Sequence, residues 1–81
     1  MFFEVNLPSL SPTMEEGKIV KWVKKENDPI LSGEVLFEVE TDKATMEYES
    51  PEDGYIAKIL TREGDIAKVN ELVAIISDNK N

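Results

Sequence analysis

The chain has 81 residues, 17 Asp and Glu against nine Lys and Arg, a net charge of -8, and neither cysteine nor histidine. A length this small holds one domain at most, whose core buries only about 60% of the unfolded surface, and the missing Cys and His remove disulfides, thiolate chemistry, the usual base near pH 7 and the commonest metal ligand. The charge opposes phosphate backbones and anionic lipid, so binding to nucleic acid or a membrane surface is not expected. Any redox or acyl chemistry must come from an added group. No apolar run approaches the ~20 residues of a membrane span, and the opening MFFEVNLP has neither the charged start nor the long apolar stretch of a secretion signal. A soluble, intracellular chain is expected.

Short runs rich in Val, Ile, Phe and Tyr alternate with turn signals at roughly eight- to twelve-residue spacing, which favours an all-β sandwich or barrel. In chain order the runs predict strands at 2–7, 18–24, 34–41, 44–49, 55–61 and 71–77. Pro29, after the turn signals of Asn27 and Asp28, suits a turn or the start of a strand. Trp22, Val20, Phe37, Val39, Met46, Tyr48, Ile59 and Ile75 are the core candidates, because large apolar residues in so small a domain are needed for packing.

At an offset of 37 the chain lies on itself without a gap, GKIVKWVKKENDPILSGEVLFEVETD (17–42) on GYIAKILTREGDIAKVNELVAIISDN (54–79). Identities fall at Gly17/Gly54, Ile19/Ile56, Lys21/Lys58, Glu26/Glu63, Asp28/Asp65 and Glu34/Glu71. Two further pairs exchange residue types, Asn27 with Gly64 and Gly33 with Asn70. Gly and Asn are the residues that best tolerate positive φ, so all four are predicted to be left-handed turn positions. The repeat implies a flattened barrel or sandwich of two similar small antiparallel sheets related by an internal pseudo-two-fold axis.

Folding the stretch VETDKATME about Asp42-Lys43 sets Thr41 opposite Ala44, Val39 opposite Met46 and Phe37 opposite Tyr48 on one face. On the other face Glu40 meets Thr45 and Glu38 meets Glu47, a like-charge pair tolerable only in water. Two-residue hairpins favour Asn-Gly and other glycine turns, because both central residues need positive φ, and Asp-Lys suits that poorly. Something besides turn propensity holds Lys43 at this tip.

The ETDKA stretch around Lys43 and the stretch LPSLSPTMEEGKIVKW near the start resemble the lipoyl/biotinyl-carrier family, over essentially the whole chain. The resemblance implies a lipoyl domain over residues 1–78, with 79–81 as the start of a linker. It implies that a lipoate ligase or lipoyltransferase attaches lipoate to the Lys43 amine, making that residue a tether and leaving the isolated domain without catalytic residues of its own. Biotin carriers of this fold typically have Met on both sides of the lysine, whereas Lys43 has Asp42 and Ala44, which argues for lipoate.

Within such a family the implied role is a swinging arm of the pyruvate dehydrogenase complex. The arm is reductively acetylated by the thiamine-diphosphate pyruvate dehydrogenase component, passes acetyl to coenzyme A at the acetyltransferase core, and is reoxidised by lipoamide dehydrogenase. The implied location is a bacterial cytoplasm or a mitochondrial matrix. A biotinyl carrier and an unmodified acidic interaction module remain the alternatives. Lys80 falls on Lys43 at the 37-residue offset but has no strand after it to form a hairpin, so modification is expected at Lys43 alone. The pseudo-symmetry also predicts the chain ends and Lys43 at opposite ends of the domain. Recognition is expected from Asp42 and Ala44 beside the lysine, and from the first-half loop LSPTMEE, with Leu10 and Met14 as apolar contacts and Glu15 and Glu16 as charge. Shortening residues 10–15 is expected to leave folding nearly intact.

Overall fold

The computed structural model describes residues 1–79; Lys80 and Asn81, and with them most of the expected linker, lie outside the described residues. Eight strands run in chain order: β1 (Phe2–Asn6), β2 (Glu16–Trp22), β3 (Pro29–Ile30), β4 (Val35–Glu40), β5 (Thr45–Glu49), β6 (Gly54–Ile59), β7 (Ile66–Lys68) and β8 (Leu72–Ser77). They form two four-stranded antiparallel sheets, β1-β8-β6-β3 and β5-β4-β2-β7. The all-β sandwich read from the sequence is the observed fold. Two strands escaped that reading, β3 and β7, with only two and three residues. Pro29 opens β3 at a sheet edge, where its missing N–H costs no ladder bond.

The repeat governs the backbone in detail. Asn27, Gly33, Gly64 and Asn70 have φ of 75°, 92°, 90° and 73°, the four left-handed positions expected. Each anchors a contact with a mirror elsewhere in the chain. The Asn27 N–H donates to the Ile56 carbonyl at 2.7 Å and the Gly64 N–H to the Ile19 carbonyl at 2.7 Å, while Gly33 donates to Ser50 at 2.8 Å and Asn70 to Leu7 at 2.7 Å. The Glu26 carboxylate accepts the Ile59 N–H at 2.9 Å, and Glu63 accepts the Trp22 N–H at 2.7 Å. The identical glutamates of the two halves thus cap each other's strands.

The halves also exchange a strand. β3, from the first half, pairs with β6 of the second, and β7, from the second, pairs with β2 of the first. The ends of the chain meet beside β1 and β8, where the Met1 ammonium bonds Asp78 at 3.0 Å.

Thirteen buried apolar residues form one core: Val5, Leu7, Met14, Ile19, Ile30, Leu36, Phe37, Val39, Ile56, Ala67, Val73, Ala74 and Ile76. Fully burying a Val, Leu, Ile or Phe contributes about 1.5–3 kcal/mol. Phe37 lies at its centre, with ring centroids 4.9 Å from both Trp22 and Tyr48. Of the expected core, Phe37 and Val39 are fully buried, and Trp22, Tyr48 and Ile59 pack against it from its rim.

Val20 and Met46 are corrections, each 38% exposed. Val20 is the extra residue of a β-bulge, since Ile19 pairs with Val39 but Lys21 with Glu38. The bulge flips the inward alternation, turning Ile19 and Trp22 to the core and Val20 out. Met46 lies on β5, the edge strand of its sheet, with a neighbour on one side only. Ile75 is only half-buried, sitting between Glu4 and Lys58 on the solvent face of its sheet.

Candidate functional site

The β4–β5 hairpin closes in the register read from the sequence, with Phe37 opposite Tyr48, Glu38 opposite Glu47, Val39 opposite Met46 and Glu40 opposite Thr45. The Thr41 N–H then bonds the Ala44 carbonyl at 2.9 Å. Neither Asp42 nor Lys43 has positive φ, so this is not the glycine-type turn that the sequence would fit badly. A side chain closes it instead. The Thr41 hydroxyl accepts the N–H groups of Lys43 and Ala44, both at 3.1 Å, and donates to the Ala44 carbonyl at 2.9 Å. Thr41 escaped the sequence reading, although a hydroxyl residue opening a tight turn is a known device for bonding the backbone two and three residues on.

Asp42 is held from the other side. Its carboxylate accepts the Thr13 hydroxyl at 2.6 Å and the Ser11 hydroxyl at 3.0 Å. These two bonds, with a smaller contribution from the Lys43 charge, hold the Asp42 carboxyl below its ordinary pKa. Lys43 and Ala44 are exposed, and the Lys43 ammonium has no hydrogen-bond or ion-pair partner among the described residues. The tip therefore presents one free primary amine on a backbone fixed from two directions.

The donors to Asp42 lie in the loop 7–15, which leaves the far end of β1 from Met1. Met1 and Asp78 thus lie at the other end of the domain, 37 Å in its longest extent, from the lysine tip, in keeping with the repeat. The loop also corrects an expectation. Met14 is 7% exposed and part of the core, and its sulfur accepts the Leu10 N–H at 3.2 Å, so it is no surface contact. Leu10 packs partly against that core, Glu15 is exposed, and Glu16 belongs to β2, opposite Lys68. Shortening 10–15 would pull Met14 from the core, and losing a buried Met costs about 2–5 kcal/mol, so folding would not survive nearly intact. Ser11 and Thr13 were not singled out from sequence, and their hydroxyls are the loop atoms that reach the tip.

Around the amine the surface is acidic along β4 and β5, with Glu38, Glu40, Glu47 and Glu49, while Lys18 and Lys21 face Glu40 and Glu38 from β2. Among the described residues no cluster of acidic side chains could hold a metal. A surface concavity lies elsewhere, lined by Trp22, Lys24, Lys25, Ile59, Arg62 and Glu63. It joins the two halves where the Glu26 and Glu63 caps cross, and the lysine tip has no part in it.

Residues 3–76 match the family model described as Biotin-requiring enzyme, Biotin_lipoyl. The chain is 54% identical over 77 residues to the dihydrolipoyllysine-residue acetyltransferase component of the mitochondrial pyruvate dehydrogenase complex of Caenorhabditis elegans, covering 94% of this chain and 15% of that protein. Against the corresponding bacterial component of Rhizobium meliloti it is 49% identical over 78 residues, covering 95% and 17%. The chain therefore spans about one sixth of the length of these relatives. Its fold is similar to the solution structure of the lipoyl domain of the 2-oxoglutarate dehydrogenase complex of Azotobacter vinelandii, with a TM-score of 0.76 and 30% identity, over 91% of this chain and 94% of that one.

Proposed function

The chain belongs to the biotin/lipoyl family as a lipoyl-type domain, and on that premise we propose that Lys43 carries lipoate through an amide bond and that the domain is the swinging-arm carrier of a pyruvate dehydrogenase acetyltransferase. The observation that carries this is the free Lys43 amine at the head of a hairpin whose backbone is fixed by Thr41 and Asp42. A primary amine fits the carboxyl of lipoate, and an unpartnered one can be enclosed by a ligase without breaking any contact. When bound, the lipoyl group supplies the reversible sulfur chemistry that a chain without cysteine lacks.

The protein's own part is presentation. Thr41 and Asp42 hold the base of the arm still, so that positioning is settled before each encounter. The net charge of -8 steers encounters by long-range attraction while close contacts stay weak, which suits a carrier that must leave each active site quickly. The pyruvate dehydrogenase component, the acetyltransferase core and lipoamide dehydrogenase are its partners in this reading. Residues 1–78 are the carrier proper, and Asp42, Ala44, Leu10, Glu15 and Glu16 flank the arm where those partners dock. Among the described residues no helix is long and apolar enough to cross a membrane. The location in this reading is a mitochondrial matrix or a bacterial cytoplasm.

A biotinyl role is disfavoured by Asp42 and Ala44 beside the lysine and by the names of the relatives. The test is intact mass after incubation with a lipoate ligase, lipoate and ATP, and separately with a biotin ligase and biotin. One lipoyl group is expected, mapping to Lys43 and absent from Lys43→Arg. A biotin adduct, or no adduct in either reaction, defeats the proposal.

A further inference from the structure

The two hydroxyls on Asp42 are surplus to the fold. In the pseudo-symmetric half the counterpart of the lysine tip is the gap between β8 and β1, and the counterparts of Ser11 and Thr13 lie in the short connection 50–53. There the Ser50 hydroxyl bonds the Glu52 carbonyl at 2.7 Å and the Asp53 carboxylate accepts the Ser32 N–H at 2.7 Å, and among the described residues no side chain of this connection bonds the β8–β1 gap. Among the described residues that end has no such hydroxyl clamp. At the Lys43 end two donors, 29 and 31 residues away in sequence, converge on a single exposed carboxylate. Hydrogen bonds in water add little to global stability, because solvent replaces them at small cost.

Their effect is local. Thr41 fixes the backbone of Lys43 and Ala44 from within the turn, but these bonds join the turn to no other element. Asp42 ties the turn to a second element, the loop 7–15, which is itself pinned into the core by Met14 and Leu7. We infer that Ser11 and Thr13 are positioning residues: through Asp42 they lock the hairpin tip to the β1–β2 loop, fixing the direction in which the Lys43 side chain leaves the domain and thereby the efficiency of acyl loading onto it. The loading part rests on the carrier role above, whereas the locking part rests on geometry alone.

The test uses the 81-residue chain with Ser11→Ala/Thr13→Ala, with Thr13→Ser as the conservative control. In the unmodified protein, the 15N order parameter of the Lys43 amide is expected near ~0.85 for wild type and for Thr13→Ser, and below ~0.6 for the double alanine variant. Melting temperature should barely move. After lipoylation, kcat/KM for acetyl loading by a thiamine-dependent pyruvate dehydrogenase component is expected to fall about tenfold in the double variant and to be restored in Thr13→Ser, since small misplacements of a reacting group cost large factors. If the double variant folds poorly, Asp42→Ala, which removes an exposed acceptor, should give the same two losses. An unchanged order parameter overturns the inference, and so does a loading defect without increased motion. Failure of wild type to accept lipoate would instead count against the carrier role, and the relaxation data would still decide the lock.

Discussion

Gly17 lies on β2, paired with Ala67 of β7 and packed against Val39 of β4 and Met14 of the loop 7–15. A Cβ built there would sit 2.5 Å from Val39 Cγ2, 3.0 Å from Met14 Cε and 3.4 Å from the Glu40 carbonyl oxygen. Ordinary carbon contacts lie at about 3.5–4.0 Å, so in Gly17→Ala either Val39 or the strand must yield by roughly 1 Å. Val39 is fully buried between Ile19 and Met46, so any shift of its side chain displaces core neighbours. Overpacking of this kind costs ~1–3 kcal/mol, against a total stability of about 4–12 kcal/mol for a domain of this length. The melting temperature should fall by about 5–20 °C.

The steric account is tested by a second substitution. Val39→Ala alone should cost about 2 kcal/mol through the cavity it leaves. In the double variant the alanine methyl at 17 occupies part of that cavity, so the combined loss should undershoot the sum by ~1–2 kcal/mol. Urea unfolding of the four proteins, followed by Trp22 fluorescence, measures all three differences. Strictly additive losses, or a Gly17→Ala protein as stable as wild type, would refute the reasoning.

Phe37→Ala should cost about 3–5 kcal/mol, because it empties the centre of the core and removes two aromatic contacts; denaturant titration measures it. Glu26→Ala and Glu63→Ala should each cost about 1 kcal/mol and agree within a few tenths, since each removes the same cap from the opposite half, and unequal losses in the same titration would contradict the reciprocity. The Asp42 clamp has its own acid limit. Its folded pKa is depressed, so its contribution is complete above the ordinary carboxylate value of ~3.9 and is lost as pH falls through the lower folded value. An NMR titration should show the Lys43 amide unchanged from pH 8 to 5, shifting only below that, and Thr13→Ala should move the midpoint upward because Thr13 is the largest cause of the depression.

The sequence carried the repeat, and the repeat carried much of the backbone: the exchange of Asn and Gly between halves located four left-handed residues, and alternation set the hairpin register. Alternation failed at the bulges. Val20 and Ala57 are the extra residues of β2 and β6, and Leu36 and Val73 those of β4 and β8. Each pair is 37 residues apart, so the bulges obey the repeat, yet a bulge has no composition of its own and reads as one more strand residue. That is why Val20 was assigned inward while Ile19, Leu36, Ile56 and Val73 were passed over. The place of Lys43 at a hairpin tip was legible from that register. What holds it was not, because Ser11 and Thr13 meet Asp42 only after the sheets have packed, and periodicity says nothing about contacts between loops.

The exchange of β3 and β7 has a topological consequence. Each sheet takes three strands from one side of the repeat and borrows its fourth from the other, so neither half alone completes a sheet. Two identical copies of one half could close on each other by the same reciprocal bonds, which makes the architecture that of an intertwined dimer joined into a single polypeptide. Such a dimer would have two equivalent tips, one at each extremity. In the joined chain the tip between β8 and β1 is open, with the Met1 ammonium and Asp78 on either side of it, and the other is closed by Thr41. The exposed Lys43 and the Met1–Asp78 pair therefore stand at opposite extremities of the domain.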